Sequence, residues 1–306
     1  MSEREKLAGL LSDPALIQYF YLDKSVQQVL EFLDSMQLTI TESQDEVPFN
    51  AQVKGYQAAQ DQNGDPWIIK SVPNDEEMLY QRSCMLAYLL DHETGTLAAP
   101  TTALLIKGKR YRATKVVKKS VQISSYNYLE APFINLLRAD LINRWIYFDE
   151  DRNPNNYLVI TNAKNKPFLV AIDYDKADIL ASAMKITGMP DKFGWHRAEK
   201  TRFLTLLRPE HFEGLSIAAF DHRLTAFRSI SKESLLALAR GAFLSYSKEP
   251  EAVAQRVAQN ILERCDYVDH YFRSMFLSVA DTKSANTDTD YSAFGPSFMA
   301  MHNKKK

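Results

Sequence analysis

The segment Asp151-Arg152-Asn153-Pro154-Asn155-Asn156 constrains this chain more than any other stretch of it. It follows a helical apolar pattern at residues 131–148 and precedes two short apolar runs, residues 157–160 and 168–172, joined by the turn-rich residues 161–167. Those runs read as a β-hairpin, so the polar loop feeds directly into paired strands. Asp173, just beyond the second strand, answers the loop across that hairpin.

Such a loop could bind calcium, since Asp149, Asp151 and Asn153 alternate as an EF-hand loop begins. That loop needs Gly at its sixth position and a bidentate Glu at its twelfth. Here those positions hold Pro154 and Ile160, which excludes it. A polar loop that only caps and turns the chain stays open as an alternative. Phosphoryl transfer fits the residue types better: it needs a cation on nucleotide phosphates, oxygen ligands for magnesium and an acceptor hydroxyl in line. Asp151 and Asn156 stand five residues apart, the separation of base and metal-binding Asn in a kinase catalytic loop. Asp173 follows an apolar strand as a second metal carboxylate does, and Lys70 ends an earlier strand.

The rest of the chain supplies elements in a matching order. Residues 1–48 read as an N-terminal helical extension, with apolar positions from Leu16 to Leu38. Residues 49–119 then read as a small lobe: strands at 52–56 and 67–70 around Asn63-Gly64-Asp65, a helix at 75–91, and a hairpin around Lys107-Gly108-Lys109. Residues 120–278 read as a larger, mostly helical lobe, clearest at 232–246 and 250–277. Residues 279–306 read as a disordered tail, polar with a basic end. The fold class expected is α+β: a two-lobed, protein kinase-like fold with a small β-rich N-lobe and a mainly helical C-lobe.

Asp-Arg-Asn-x-x-Asn followed by Ile-Asp-Tyr-Asp resembles the phosphatidylinositol 3/4-kinase and HipA-like branch of that superfamily, over about residues 49–278 in element order. The resemblance implies Asp151 as catalytic base, Asn156 and Asp173 as magnesium ligands, and Lys70 on the phosphates of ATP. Arg152 is read with the catalytic loop, as a phosphate-side cation or a structural ion pair. Glu77, with Glu76 as second choice, is the candidate to orient Lys70. The phosphate loop is expected within residues 52–68, where Gly55 and Gly64 are the only glycines and no Gly-x-Gly-x-x-Gly occurs. After Asp173 the chain reads Tyr174-Asp175-Lys176-Ala177, without Phe-Gly. The implied activity is ATP- and Mg²⁺-dependent transfer to a hydroxyl of a protein, or of a lipid or small molecule. The rival readings are a pseudokinase scaffold and a transferase that moves a nucleotidyl group.

Composition narrows the partners. A net charge of −1 offers no global basic field for nucleic acid or anionic lipid, which favours a protein acceptor over a lipid one. No apolar run suits a signal peptide or a membrane span, so the chain is read as cytoplasmic. Cys84 and Cys265 are isolated and read as core thiols, as Trp145 reads as packing. The six histidines show no metal-ligand spacing, and no Gly-x-Ser-x-Gly elbow occurs.

Overall fold

The computed structural model describes residues 1–43, 47, 49–149, 153–181, 186–191, 194–197, 202–203, 207, 209–212 and 214–281. Three helices open the chain: α1 (Glu3–Leu11), α2 (Pro14–Tyr19) and α3 (Val26–Ser35). Ser2 with Glu5, and Ser25 with Gln28, form reciprocal capping boxes that start α1 and α3. An antiparallel sheet follows, ordered β1 (Thr39–Ile40), β2 (Gln57–Gln60), β3 (Pro66–Ser71), β5 (Lys109–Lys115), β4 (Thr101–Ile106). Trp67 and Ile69 of β3 are fully buried in the main core, while Ile68 and Lys70 face the other way and are half-buried. That is the two-residue period of a strand between a core and an open face.

The strand expected at residues 52–56 is instead the end of a short helix, α4 (Phe49–Val53), and its turn. Gly55 adopts φ +81°, with its N–H donating to Gln52 O (2.9 Å) and the Tyr56 N–H to Ala51 O (3.0 Å). A left-handed glycine closing a helix in this way satisfies the last carbonyls. Five residues hold too little periodicity to separate this pattern from a strand.

Between β3 and β4 runs α5 (Asp75–Glu93), capped by Asn74, whose Oδ1 accepts from Glu77 N–H at 2.8 Å. The expected apolar stripe is only part of its packing, because Gln81, Arg82, Ser83, Asp91 and His92 are buried as well. The reason is position: α5 touches β4, β5, α3 and α8, so it has no solvent face along most of its length.

The second half contains α6 (Phe133–Tyr147), a small sheet of β6 (Val121–Gln122), β7 (Tyr157–Thr161) and β8 (Pro167–Ala171), and α7 (Ala218–Arg228), α8 (Lys232–Phe243) and α9 (Pro250–Asp281). Strands β9 (Ile186–Asp191), β10 (Gly194–Arg197) and β11 (Arg202–Phe203) pair among themselves. Trp145 is fully buried against Tyr271 and Phe272, each ring centroid 5.2 Å away, and Cys84 and Cys265 are buried free thiols. Residues 282–306 of the expected tail lie outside the described residues.

The N-terminal helices join the two halves. Leu11, Phe20 and Leu22 pack in one cluster with Leu97, Ala99 and Val117 and with Ile160, Phe168 and Val170 of the β7–β8 hairpin. Asn162 Nδ2 donates to Leu11 O at 2.9 Å, and Tyr19 Oη donates to Val116 O beside β5. Each large apolar side chain buried there stabilises by about 1.5–3 kcal/mol.

Candidate active site

The hairpin ladder brings two of the sequence-selected residues together. Tyr157 pairs with Ala171, and one step further out Ile172 N–H donates to Asn156 O at 3.0 Å. Asn156 and Asp173 therefore stand at the same mouth of the hairpin, on facing segments. Asn156 is buried in a 3₁₀ turn, Pro154–Asn156, where Asn153 Oδ1 accepts from Asn155 N–H at 2.9 Å. Asp173 has φ +57°, a left-handed conformation that Asp tolerates better than most residues and that concentrates at functional sites. Asp151 and Arg152 lie outside the described residues.

Behind that mouth sits a buried polar hub centred on Arg144 of α6. Its guanidinium meets Asp91 of α5 (2.6 Å), Asp140 of α6 (2.8 Å) and Asp149 (3.3 Å). Tyr147 and Tyr174 donate to Asp91 at 2.8 and 2.5 Å, Asn143 Nδ2 donates to it at 2.7 Å, and Tyr157 donates to Asp140. Burial by itself would depress the arginine, but Asp140, Asp91 and Asp149 hold it charged, well above its ordinary value. The hub grips Asp149, Tyr157 and Tyr174, which flank the polar loop, Asn156 and Asp173 in turn. Removing Arg144 would strand three carboxylates, a change that costs about 3–5 kcal/mol for a buried pair.

Lys70 opens onto a cleft of about 480 Å³ shared with Val72, Glu77, Tyr80, Arg112, Asp175 and Lys176. Lys70 of β3 stands directly opposite Arg112 of β5 in the ladder, and both cations lie over the Tyr56 ring, at 5.4 and 4.9 Å from its centroid. Arg112 forms an ion pair with Asp175, and Tyr80 Oη donates to Asp175 O at 2.9 Å. Burial pushes the Asp175 carboxyl up to about 6, with Lys70 and Lys176 pulling the other way. Its side chain keeps 36% exposure, so solvent tempers the cost of its charge. Glu77 lines the cleft and accepts from Gln81 Nε2 at 2.9 Å; among the described residues no carboxylate lies within ion-pair distance of Lys70.

Register separates the two glycines of residues 52–68, the segment expected to hold a phosphate loop. The turn at residues 61–65, with Gly64, joins β2 and β3 at the end of the sheet away from Lys70. There the Asp61 carboxylate accepts from Asn63 N–H, Asp65 N–H and Trp67 Nε1 at 2.9–3.1 Å, so the turn's amides are already engaged. The connection at the Lys70 end is residues 41–56, which carries exposed Gly55 and the Tyr56 ring.

Sequence reasoning missed Arg112, Tyr56, Tyr80 and Asp175 as cleft residues, and the hub entirely. A signal existed for Arg112, which alternates with the buried Tyr111 and Ala113 in β5, but its partner across the ladder was invisible. Among the described residues no three His, Cys, Asp or Glu side chains gather as a metal cluster; the pair at the hairpin mouth is one amide and one carboxylate. Both are hard oxygen donors of the type magnesium takes alongside phosphate oxygens.

A sheet ordered β1-β2-β3-β5-β4, with a lysine on β3, a helix before β4, and a helical half reached after β5, is a two-lobed, kinase-like α+β architecture. No family model matches the chain and no curated protein matches it. Among solved structures it is similar to the proinflammatory kinase CtkA of Helicobacter pylori, with TM-score 0.48 and 10% identity over 74% of this chain and 96% of that one. It is also similar to the choline kinase LicA of Streptococcus pneumoniae, with TM-score 0.26 and 10% identity over 77% of this chain and 96% of that one. No described helix is long and apolar enough to cross a membrane.

Proposed function

We propose that the chain is an ATP- and Mg²⁺-dependent phosphotransferase of the phosphatidylinositol 3/4-kinase and HipA-like type, acting on a hydroxyl acceptor, with a protein hydroxyl favoured. The observation that carries this reading is the continuity of residues 171–177: leaving β8, the chain passes Asp173 at the hairpin mouth and sets Asp175 in the Lys70 cleft. One short segment thus joins the two halves of a phosphoryl-transfer site. In this reading residues 49–119 and 120–278 are the two lobes, with nucleotide between them.

Asp151 accepts the proton of the acceptor hydroxyl as its oxygen attacks the terminal phosphorus, and ADP leaves. Lys70 holds the phosphates as a point charge, and Glu77 orients it when the cleft closes. Arg152 adds positive charge beside the base, and Gly55 lets backbone approach the phosphates without a Cβ in the way. Asn156 and Asp173 would hold magnesium, which when bound neutralises charge developing on the phosphate oxygens. The Arg144 hub keeps the three segments that carry these groups in one arrangement.

The test is transfer from labelled ATP with magnesium by wild type, Asp151→Ala and Asp173→Asn. Both variants are expected to lose transfer, and Asp173→Asn also to lose the magnesium-dependent rise in melting temperature. Equal turnover by all three proteins overturns the assignment. A second reading, a nucleotide-binding scaffold without turnover, draws on the separation of Lys70 from Glu77; wild type that binds ATP but transfers nothing would select it.

A further inference from the structure

Arg112 has more in common with Lys70 than a place in the ladder. The two stand opposite each other on adjacent strands, project from the same face, share the Tyr56 ring and line the same cleft. Its neighbour Arg110 takes a different course, donating to Asp75 Oδ1 at 2.6 Å on the exposed start of α5. The Arg112 side chain is only 12% exposed, so its charge has been largely removed from water and given an anion, the Asp175 carboxylate. Burial lowers its pKa from the ordinary value and the charge of Asp173 opposes that.

A guanidinium fork binds a carboxylate and a phosphate through the same pair of parallel N–H donors, which a lysine cannot do. Asp175 meets one arm of that fork, Nη1, from a short segment and keeps solvent contact through which it can withdraw. The cleft is of the size that small ligands use, with Lys70, Arg112 and Lys176 set against Glu77 and Asp175. We propose that Arg112 is the second phosphate-binding cation of this site, and that Asp175 is an internal counter-ion which a nucleotide's phosphates displace. The exchange swaps one anion for another, so the desolvation of Arg112 is already met before the phosphate arrives. This rests on the nucleotide reading above and adds to it a second cation, beside Lys70, that favours polyphosphates over nucleosides.

Calorimetric titration of wild type, Arg112→Gln, Arg112→Lys, Asp175→Asn and the Arg112→Gln/Asp175→Asn pair with ATP, adenosine and inorganic tripolyphosphate tests it. Arg112→Gln is expected to weaken ATP and tripolyphosphate by about tenfold or more while leaving adenosine unchanged, the loss expected for a charged hydrogen-bond partner. Arg112→Lys should recover only part of this, because the charge returns without the fork. Asp175→Asn should tighten tripolyphosphate by about threefold, since the competing anion is gone. The double variant, which leaves no orphan carboxylate, keeps the measurement valid if Arg112→Gln folds poorly. Wild-type affinity for ATP in both Arg112→Gln and the double variant overturns the proposal alone. Absence of ATP binding by wild type overturns it together with the nucleotide reading.

Discussion

Two lysines on neighbouring strands divide the N-terminal sheet into a closed end and an open one. Lys115 of β5 is fully buried: its Nζ meets Asp65 at 2.6 Å, Tyr19 O at 3.0 Å and Tyr21 Oη at 3.1 Å, under the rings of Tyr19 and Tyr21 at 4.1 and 4.4 Å. Burial lowers its pKa, and the hydrogen bond and charge of Asp65 oppose the shift. Lys70, at the other end of β3, faces a cleft with its ammonium over the Tyr56 ring and with Asp175, whose charge it favours through space, in the same lining. A cation whose donors are all engaged holds a fold together; one that keeps its donors toward a cleft is available to a ligand. The same residue type thus serves architecture at one end and, in our reading, chemistry at the other.

The contrast can be broken most sharply at Lys70. Lys70→Met is expected to reduce phosphoryl transfer by about a thousandfold, the scale of a lost transition-state donor, with the urea midpoint unchanged. A large shift of that midpoint instead would move Lys70 into the structural class. Lys115→Ala should behave the opposite way, costing about 3–4 kcal/mol of unfolding free energy through lost packing and stranded partners. Its kcat per folded molecule should stay near wild type; loss of transfer in the folded fraction would erase the distinction between the two ends.

His92 sharpens the closed end through pH. Its Nε2 donates to Lys24 O at 3.0 Å, where α5 meets the N-terminal helices, and burial pushes its pKa down to about 4. The folded state therefore binds fewer protons than the unfolded state, whose histidine titrates near its ordinary value. The resulting stability is present above about pH 6.5 and is lost as pH falls toward 4, by at most about 3 kcal/mol. Unfolding titrations at pH 7 and pH 4.5 should show this difference in wild type and a smaller one in His92→Gln. Equal pH dependence would mean the imidazole is not the group responsible.

The smallest expected effects concern the two glycines. Gly55 and Gly64 have φ +81° and +78°, and a Cβ added at either meets nothing within 4 Å. Alanine at each should cost only about 1 kcal/mol, the conformational penalty of the left-handed region. Only Gly55→Ala, at the open end, should also weaken ATP; an equal loss from Gly64→Ala would contradict the register that separates them.

Much of this arrangement was legible in the residues, and the failures are informative. Strands β7 and β8 were readable because two apolar runs flank a turn-rich segment, and α9 because its apolar positions repeat over many turns. Residues 52–56 were misread because a five-residue alternation ending in Gly fits a strand as well as a helix stop. Arg82, Asp91, Asp140 and Arg144 carry no hint of burial in their local sequence, since burying a charge depends on a partner distant in the chain. Asp91 and Arg144 are separated by 53 positions, and Arg112 and Asp175 by 63.

What the sequence determined by itself is the longer local elements, such as β7, β8 and α9, and the spacing that carries Asp151, Asn156 and Asp173, because hydrogen-bonding period and turn chemistry act over a few residues. Which polar groups face one another was decided only by tertiary structure. Strand register chose Arg112 as the neighbour of Lys70, and packing of the N-terminal helices closed the Lys115 end while residues 171–177 led from the hairpin mouth into the cleft. Ion pairing and desolvation depend on distance through space, and distance through space is what folding supplies.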